Sequence, residues 1–368
     1  MMTGIPMFQR VNAFVGVIIV CPAFLSAQTM RLVGQSNLGG GGLNGDIAIV
    51  GTTAIVGAGL MPAAGVHAHL YNPYPCKAVT IKVVDLSRPR TPVVVATIPV
   101  PAGVAAHGVA AARVRTAAFT GDLAAVALQT CGAGGSTVER GVVYYDITRP
   151  AAPQFLSRYQ ADADIVHADS IPPCGLPPAK SAARCASSQH SVSLVQRADG
   201  RVFSLSLEPG ASAGKFASGD LRIVDVTDPR RPVQVGAFPP PGPREVGVHR
   251  TPRSRIFPPS DLSVFSSQRA AVRGDIAVVP WNSDGARVID LASGGLREVG
   301  SFVPPDVADP AGVLPAKAYV VSVAILPPRG GNRRAGAQEY VVLSDVNSGL
   351  YVLEAPWGVT RLANQLSR

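Results

Sequence analysis

The sequence predicts an all-β fold, a β-propeller of four-stranded blades, and three observations support that prediction. The chain repeats one unit, seen most clearly as DLRIVDVTDPRRPVQVGAF at 220–238. Its 368 residues include 38 Gly and 33 Pro, a composition typical of many short strands joined by turns. A segment near the N-terminus resembles the last strand of the repeat although no inner strands precede it. Together these features indicate a ring of blades.

Each repeat reads as an apolar strand, an Asp, a hydroxyl residue, a reversal and a second apolar strand. The β-branched residues before the Asp favour a strand. The Asp carboxylate and the Ser or Thr two places on can both bond nearby backbone amides, so the strand ends in a local turn. The prolines cannot donate to a ladder, which places the second strand at an edge. Related copies stand at 80–98, 141–159, 286–303 and, truncated, 349–356.

The two ends of the chain complement one another. MRLVGQSNLGG at 30–40 matches the outer strand VQVGAF at 233–238, and GLYVLE at 349–354 is a third strand with no fourth after it. Pairing of Leu32–Val33 with Leu350–Leu353 would complete the last blade and remove the exposed edges. We therefore expect the N-terminal strand to close the ring.

Five blades can be counted. Six or seven are possible, because degenerate blades could lie at 161–186 or 240–260. The first strand of the fourth blade is expected near LSVFSS, at 262–267.

The repeated IVD-[ST]-x-P core resembles the LVIVD repeat of exported and surface β-propeller proteins of bacteria and archaea. The opening LVGQSNLGGGGLNGDIAIVGTTAIVG is similar to the N-terminal stretch of such proteins, and the likeness covers most of residues 30–356. The resemblance implies a propeller, but the functions of that family are mostly unassigned, so it implies no particular activity. The fourth copy departs from the pattern, since LASGGLRE lacks both prolines.

The N-terminus has the pattern of a signal peptide. Arg10 provides positive charge, the run from Phe14 to Leu25 is apolar, and small residues follow at Ser26–Ala27. The run is too short to span a bilayer comfortably. We expect an exported protein, periplasmic or at the cell surface, with no transmembrane anchor after cleavage. The predicted division is signal peptide 1–27, propeller 28–356 and C-terminal tail 357–368.

Four cysteines remain after the predicted cleavage site. An even number in an exported chain favours disulfides, and the spacing favours Cys174–Cys185 and then Cys76–Cys131. A zinc site is the alternative, but no CxxC spacing supports it.

The net charge of +9 comes almost entirely from arginine. No basic face interleaved with aromatic residues appears, so nucleic acid is not an expected partner. We expect a monomer whose partner is a protein or glycan at the cell envelope.

Blade topology predicts two unlike faces. Connections between strands 1 and 2 and between strands 3 and 4 share one face, here called the plain face. The remaining connections share the other, here called the looped face, where binding residues are expected. All six histidines and the four cysteines are assigned to it, and so are all the long insertions: 60–78, 129–140, 160–189, 208–219, 240–260 and 327–338.

The candidate ligand-binding residues lie on this looped face: His107, His190, Asp261, His167 and His249. His107 and His190 stand at the heads of innermost strands, so both should face the axial channel. Asp261 is expected to head the fourth blade in the same way. Imidazoles near carboxylates can hold a divalent metal ion or relay a proton. A plain structural role in a solvated channel mouth is the alternative, and no cofactor or catalytic residue is assigned.

Two functions remain open at this point. The leading interpretation is a non-enzymatic binding scaffold at the envelope or cell surface, because no familiar catalytic motif occurs. The alternative is a metal-dependent hydrolase or lactonase-like propeller with an axial site containing His107, His190 and Asp261.

Overall fold

A computed structural model describes the parts of the chain that form the blades. These are residues 28–59, 79–100, 104–130, 141–160, 191–207, 221–238, 269–281, 284–291, 297–310, 316–328 and 338–357. Strands and turns make up these segments, and no α-helix occurs within them. The described part of the chain accordingly contains no helix that could cross a membrane.

The strands form a β-propeller of five blades in the described residues. The chain begins with β1 (Gln28–Thr29) and β2 (Leu32–Ser36). Blade 1 follows with β3 (Asn44–Val50), β4 (Thr53–Ala58), β5 (Thr80–Asp85) and β6 (Val93–Pro99). Blade 2 contains β7 (Val104–Arg115), β8 (Thr120–Thr130), β9 (Gly141–Asp146) and β10 (Gln154–Tyr159).

The remaining strands complete three more blades. Blade 3 contains β11 (Ser191–Gln196), β12 (Val202–Leu207), β13 (Leu221–Asp225) and β14 (Val233–Phe238). Blade 4 contains β15 (Ala271–Arg273), β16 (Ile276–Pro280), β17 (Ala286–Asp290) and β18 (Arg297–Phe302). Blade 5 contains β19 (Val320–Leu326), β20 (Tyr340–Asp345) and β21 (Gly349–Glu354), and β2 is its fourth strand. Within each blade, consecutive strands pair antiparallel, as the repeat predicted.

The N-terminal strand closes the ring at the predicted position. β2 runs antiparallel to β21, with Leu32 opposite Leu353 and Ser36 opposite Leu350. The short strand β1 was not predicted. It lies parallel to β18 at the edge of blade 4, so the start of the described chain holds blades 4 and 5 together.

Local chemistry ends the third strand of the repeats as expected. In three blades the carboxylate of the Asp accepts a hydrogen bond from the backbone N–H two residues later. The N–H of Ser87 donates to Asp85 at 2.7 Å, that of Thr148 to Asp146 at 2.9 Å, and that of Thr227 to Asp225 at 2.9 Å.

Every outer strand contains a β-bulge at the same place in the repeat. One extra residue interrupts the pairing with the third strand; it is Val33, Val95, Leu156, Val235 or Val299. A small residue follows each bulge: Gly34, Ala96, Ser157, Gly236 and Gly300. At two of these positions the proline turn of the next blade packs against the bulge. The backbone at Gly34 meets the carbonyl groups of Pro89 and Arg90, and the Ser157 hydroxyl donates to the Pro229 carbonyl at 2.5 Å.

Buried apolar side chains fill four of the five seams between blades. Representative residues are Ile55 and Val126 between blades 1 and 2, Tyr144 and Val224 between blades 2 and 3, Val288 and Leu343 between blades 4 and 5, and Val84 and Leu350 between blades 5 and 1. No comparable cluster joins blades 3 and 4 within the described residues. Val235 of blade 3 and Val272 of blade 4 are instead 55% and 57% exposed.

The expected start of blade 4 was wrong. The strand that pairs with β16 is Ala271–Arg273, whereas 262–267 lies outside the described residues. A two-residue turn at Gly274–Asp275, in which Gly274 has φ of 57°, joins β15 directly to β16. Such turns require positive φ, which glycine adopts without strain.

One long insertion was also assigned to the wrong face. Residues 327–338 connect β19 to β20, which are the first and second strands of blade 5. This connection therefore belongs to the plain face, where Pro327 and Gln338 line a cleft with Thr52 and Pro89 from the corresponding turns of blade 1.

Replacement of Gly34 should test how tightly the bulge packs against the next blade. A Cβ atom there would overlap the Pro89 carbonyl oxygen and lie 2.7 Å from that of Arg90. We expect Gly34→Ala to lower the free energy of unfolding by about 1–3 kcal/mol, measured by chemical denaturation.

Gly236→Ala is the matched control at the equivalent bulge of blade 3. Its Cβ would meet no atom closer than Ile223 Cδ1 at 3.7 Å, so we expect a change within about 0.5 kcal/mol. Equal destabilisation by the two variants would contradict the proposed packing.

Candidate functional site

The innermost strands of the blades bring three polar side chains together at the looped end of the axis. We call Asp46, Arg269 and Ser322 the axial cluster. Asp46 lies on β3 and Ser322 on β19, while Arg269 lies two residues before the start of β15 and forms an isolated parallel bridge with Ser322. The three residues thus come from blades 1, 4 and 5.

Asp46 accepts hydrogen bonds from three groups and forms one ion pair. Its Oδ1 accepts from the Ser322 hydroxyl at 2.5 Å and from its neighbouring amide, Ile47 N–H, at 2.9 Å. Its Oδ2 accepts from Val109 N–H of blade 2 at 3.1 Å and lies 3.4 Å from Arg269 Nη1. These partners fix the positions of both carboxylate oxygens.

Arg269 joins the inner strands of several blades through its guanidinium group. Nη1 donates to the Val109 carbonyl at 3.2 Å, and Nη2 donates to the Val192 carbonyl of blade 3 at 3.3 Å. A guanidinium presents donors in a rigid fork, which suits simultaneous contact with carbonyl and carboxylate oxygens. The side chain therefore links blades 1, 2 and 3 to the start of blade 4.

The axial cluster is partly open to solvent. The Asp46 side chain is 13% exposed and that of Arg269 is 37% exposed, whereas Ser322 is buried. The two charged groups are therefore only partly buried, whereas the hydroxyl that fixes Asp46 is fully buried.

A buried polar pair lies beside this cluster, with Asn44 on the same strand as Asp46 and Lys82 on β5. Asn44, two residues before Asp46, accepts a hydrogen bond from Lys82 Nζ at 3.0 Å and donates to the Asp345 and Val346 carbonyls at 3.2 Å. Lys82 is only 6% exposed, and burial lowers the pKa of its amine to about 8. The seam between blades 1 and 5 thus holds an amine whose pKa is lowered from 10.5 to about 8.

One of the five predicted ligand-binding residues lies in the described part of the chain. His107 is half-buried in β7, where it is the extra residue of a bulge between Ala106 and Gly108, and it has an interaction partner. Its place at the looped end of an inner strand is as expected. His190, Asp261, His167 and His249 lie outside the described residues, as do both predicted disulfides. Among the described residues, no group of three or more His, Cys, Asp or Glu could hold a metal ion.

Sequence reasoning missed the axial cluster. The signal for Asp46 was a lone carboxylate near the head of an otherwise apolar inner strand, GDIAIV at 45–50. Arg269 had no comparable signal, because the start of blade 4 was placed too early. Ser322 lies within an apolar strand, where a single hydroxyl is unremarkable.

Comparison with known proteins gives low similarity throughout. No protein-family model and no curated protein sequence matches the chain. Solved structures that align include an exo-β-1,3-galactanase from Clostridium thermocellum (8% identity, TM-score 0.37, 89% of this chain and 61% of that one). Others are the GH32 β-fructofuranosidase of Bombyx mori (8%, 0.34, 89% and 61%) and Sqt1 of Saccharomyces cerevisiae (9%, 0.36, 89% and 100%).

These comparisons correct the expectation of a non-enzymatic scaffold. Two of the three structures are glycan-hydrolysing enzymes by name, and family-43 glycoside hydrolases recur among the other matches. The fold therefore gives no ground for treating the chain as a non-enzyme. TM-scores below 0.5 carry no activity over to this chain, so the choice of function depends on its own residues.

Lys82 should make stability depend on pH. The unfolded state has the ordinary lysine pKa of 10.5, so between pH 8 and 10.5 it binds a proton that the folded state has released. The free energy of unfolding should therefore rise with pH across this window, by up to about 3 kcal/mol from this residue. Chemical denaturation at a series of pH values measures the slope.

Lys82→Met should remove this rise, whereas Lys317→Met, at a partly exposed position, should leave it intact. A wild-type protein whose stability stays level or falls between pH 8 and 10.5, with no difference in Lys82→Met, would contradict the assignment.

Proposed function

We propose that the chain is a hydrolase whose reaction centre is the Asp46 carboxylate at the looped end of the propeller axis. One observation carries the proposal: groups from four blades converge on this single, partly exposed carboxylate. Asp46 itself belongs to blade 1, and its partners come from blade 2 (Val109), from the start of blade 4 (Arg269) and from blade 5 (Ser322). A rigid scaffold that positions one reactive group in this way meets the main structural requirement of catalysis.

Asp46 is suited to act as a general base. Its orientation is fixed by the Ser322 hydroxyl and two backbone amides, and its 13% exposure keeps it accessible to water. A positioned carboxylate can remove a proton from an attacking water molecule, which typically contributes about 10²- to 10⁴-fold to the rate.

Arg269 supplies the complementary electrostatic role. Its guanidinium is held by the Val109 and Val192 carbonyls and is 37% exposed. A preorganised positive group beside the attacked carbon stabilises the oxyanion that forms when water adds to a carbonyl.

This pair of groups favours a carboxylic ester or lactone as the substrate. The axial cluster, as defined by the described residues, contains one carboxylate and one guanidinium. Water attack on a carbonyl needs a base and an oxyanion partner, whereas glycoside hydrolysis generally needs two carboxyl groups. The single carboxylate therefore supports an esterase or lactonase.

A divalent metal ion is not used in this scheme. His107 with His190 and Asp261 remains the predicted ligand set for such an ion. The described residues contain one of these three ligands, His107, and no step is assigned to a metal.

We also propose that the chain is an exported member of the LVIVD-repeat family. The repeated IVD-[ST]-x-P core and the signal-like segment 1–27 support this proposal. Cell fractionation with N-terminal sequencing of the recovered protein tests the location. An intact N-terminus on a cytoplasmic protein would contradict it.

Activity should be tested on the mature protein with panels of esters, lactones and glycosides. We expect turnover of an ester or lactone, and a loss in Asp46→Asn of about 10²- to 10⁴-fold in kcat with little change in KM. Turnover of glycosides alone, no turnover at all, or full activity in Asp46→Asn would contradict the proposal.

Ser322→Ala is the matched control, because it removes one partner of Asp46 and leaves the carboxylate. One hydrogen bond is worth about 1 kcal/mol, so we expect less than about a tenfold loss of kcat. Thermal denaturation of both variants separates catalytic loss from unfolding. A stoichiometric metal ion in the purified protein, lost together with activity in His107→Ala, would overturn the metal-free scheme.

A further inference from the structure

The two faces of blade 3 differ in how they are covered. The face toward blade 2 is packed, with Val192, Val202 and Val224 in the buried cluster that includes Tyr144. The opposite face leaves Val195 45% exposed, Val233 57% and Val235 55%. Gly236 shows the same contrast, since within the described residues it faces only Ile223 of its own blade, whereas its counterpart Gly34 is packed against the next blade.

This open face contains a shallow concavity of about 400 Å³, here called the blade 3 pocket. The volume lies within the range of small-molecule sites. The lining is almost entirely apolar, and its apolar side chains come from all four strands of the blade: Val195, Phe203, Leu205, Ile223 and Val235.

Two arginines form one end of the pocket. The guanidinium carbon of Arg201 lies 5.2 Å from the centroid of the Phe203 ring, and that of Arg197 lies 5.9 Å from it. Both arginines pair with Asp199, at 3.2 Å and 3.5 Å. Two positive groups share one carboxylate, so this end carries an excess positive charge. The side chains are 50% and 56% exposed and can accept a further anionic partner.

We propose that the blade 3 pocket binds a small hydrophobic carboxylate, with its hydrocarbon part on the valine-rich face and its carboxylate at Arg197 and Arg201. Apolar burial supplies the attraction along the pocket, and guanidinium groups bind carboxylates through paired, charge-assisted hydrogen bonds. The contacts with Phe203 hold both guanidinium groups near the pocket. Each group reaches Asp199 through Nε, so its Nη groups can donate to a ligand.

Charge complementarity favours this occupant over a second copy of the chain. The chain has a net charge of +9, so a second copy would on the whole be repelled from a positive rim. An anionic ligand is attracted to the same rim. The site lies on blade 3, apart from the axial cluster, and binding can be measured without turnover.

Isothermal titration calorimetry of the mature protein with decanoate, below its micelle concentration, tests the proposal. We expect saturable binding of one decanoate per chain that weakens as salt concentration rises. The double variant Arg197→Gln/Arg201→Gln should bind at least tenfold more weakly. Decanol has the same hydrocarbon chain without the charge. The wild-type protein should therefore bind decanol more weakly than decanoate, by a similar factor.

The matched control removes two positive charges from positions outside the pocket. Arg90→Gln/Arg231→Gln changes two exposed arginines in turns outside the pocket, and we expect unchanged affinity. Val235→Trp should block binding by filling the concavity while leaving the melting temperature unchanged, because Val235 is more than half exposed.

Four results would overturn the proposal. They are no saturable heat with decanoate, equal binding of decanol, equal losses in the two arginine double variants, and concentration-dependent dimerisation abolished by Val235→Trp. The last result would assign the face to a second copy. If the wild-type protein does not bind decanoate and Val235→Trp lowers the melting temperature, another part of the chain covers this face.

Discussion

Antiparallel hydrogen bonds between β2 and β21 join the first strand of the propeller to its last blade, and the rest of the architecture depends on them. A blade buries its apolar faces only when both neighbours are in place. Without β2, blade 5 would expose β21 as an edge. β1 pairs in parallel with β18, so the N-terminal segment also adds a strand to blade 4. The N-terminal segment therefore joins both blade 4 and blade 5.

Closure also creates the axial cluster. Ser322 and Asp46 belong to the last and first blades, and they meet because β19 lies beside β3 once the ring is complete. Arg269 then bridges toward blades 2 and 3 through the Val109 and Val192 carbonyls. The charged groups proposed to act on substrate thus also hold the inner strands together.

The sequence predicted the blades well because the signal is local. A run of β-branched residues followed by Asp and Ser or Thr determines both a strand and its turn, as at Asp85–Ser87. Ring closure could be predicted since Leu32 and Leu350 belong to recognisable fragments of one repeat. The axial cluster could not be predicted, because it depends on three distant positions. The prediction also placed the start of blade 4 too early, since it did not recognise the Gly274–Asp275 turn that joins β15 to β16. The two-residue strand β1 is too short to show any pattern.

The pairing of Arg31 with Glu354 joins positions separated by 323 residues. A ribosome releases the first of these long before the second is made. The N-terminal strand therefore has no native partner until β21 has been made, and contacts of such large sequence separation are slow to form. A chain built in this way remains open during translation. Its ring closes only after the whole span from β2 to β21 has left the ribosome.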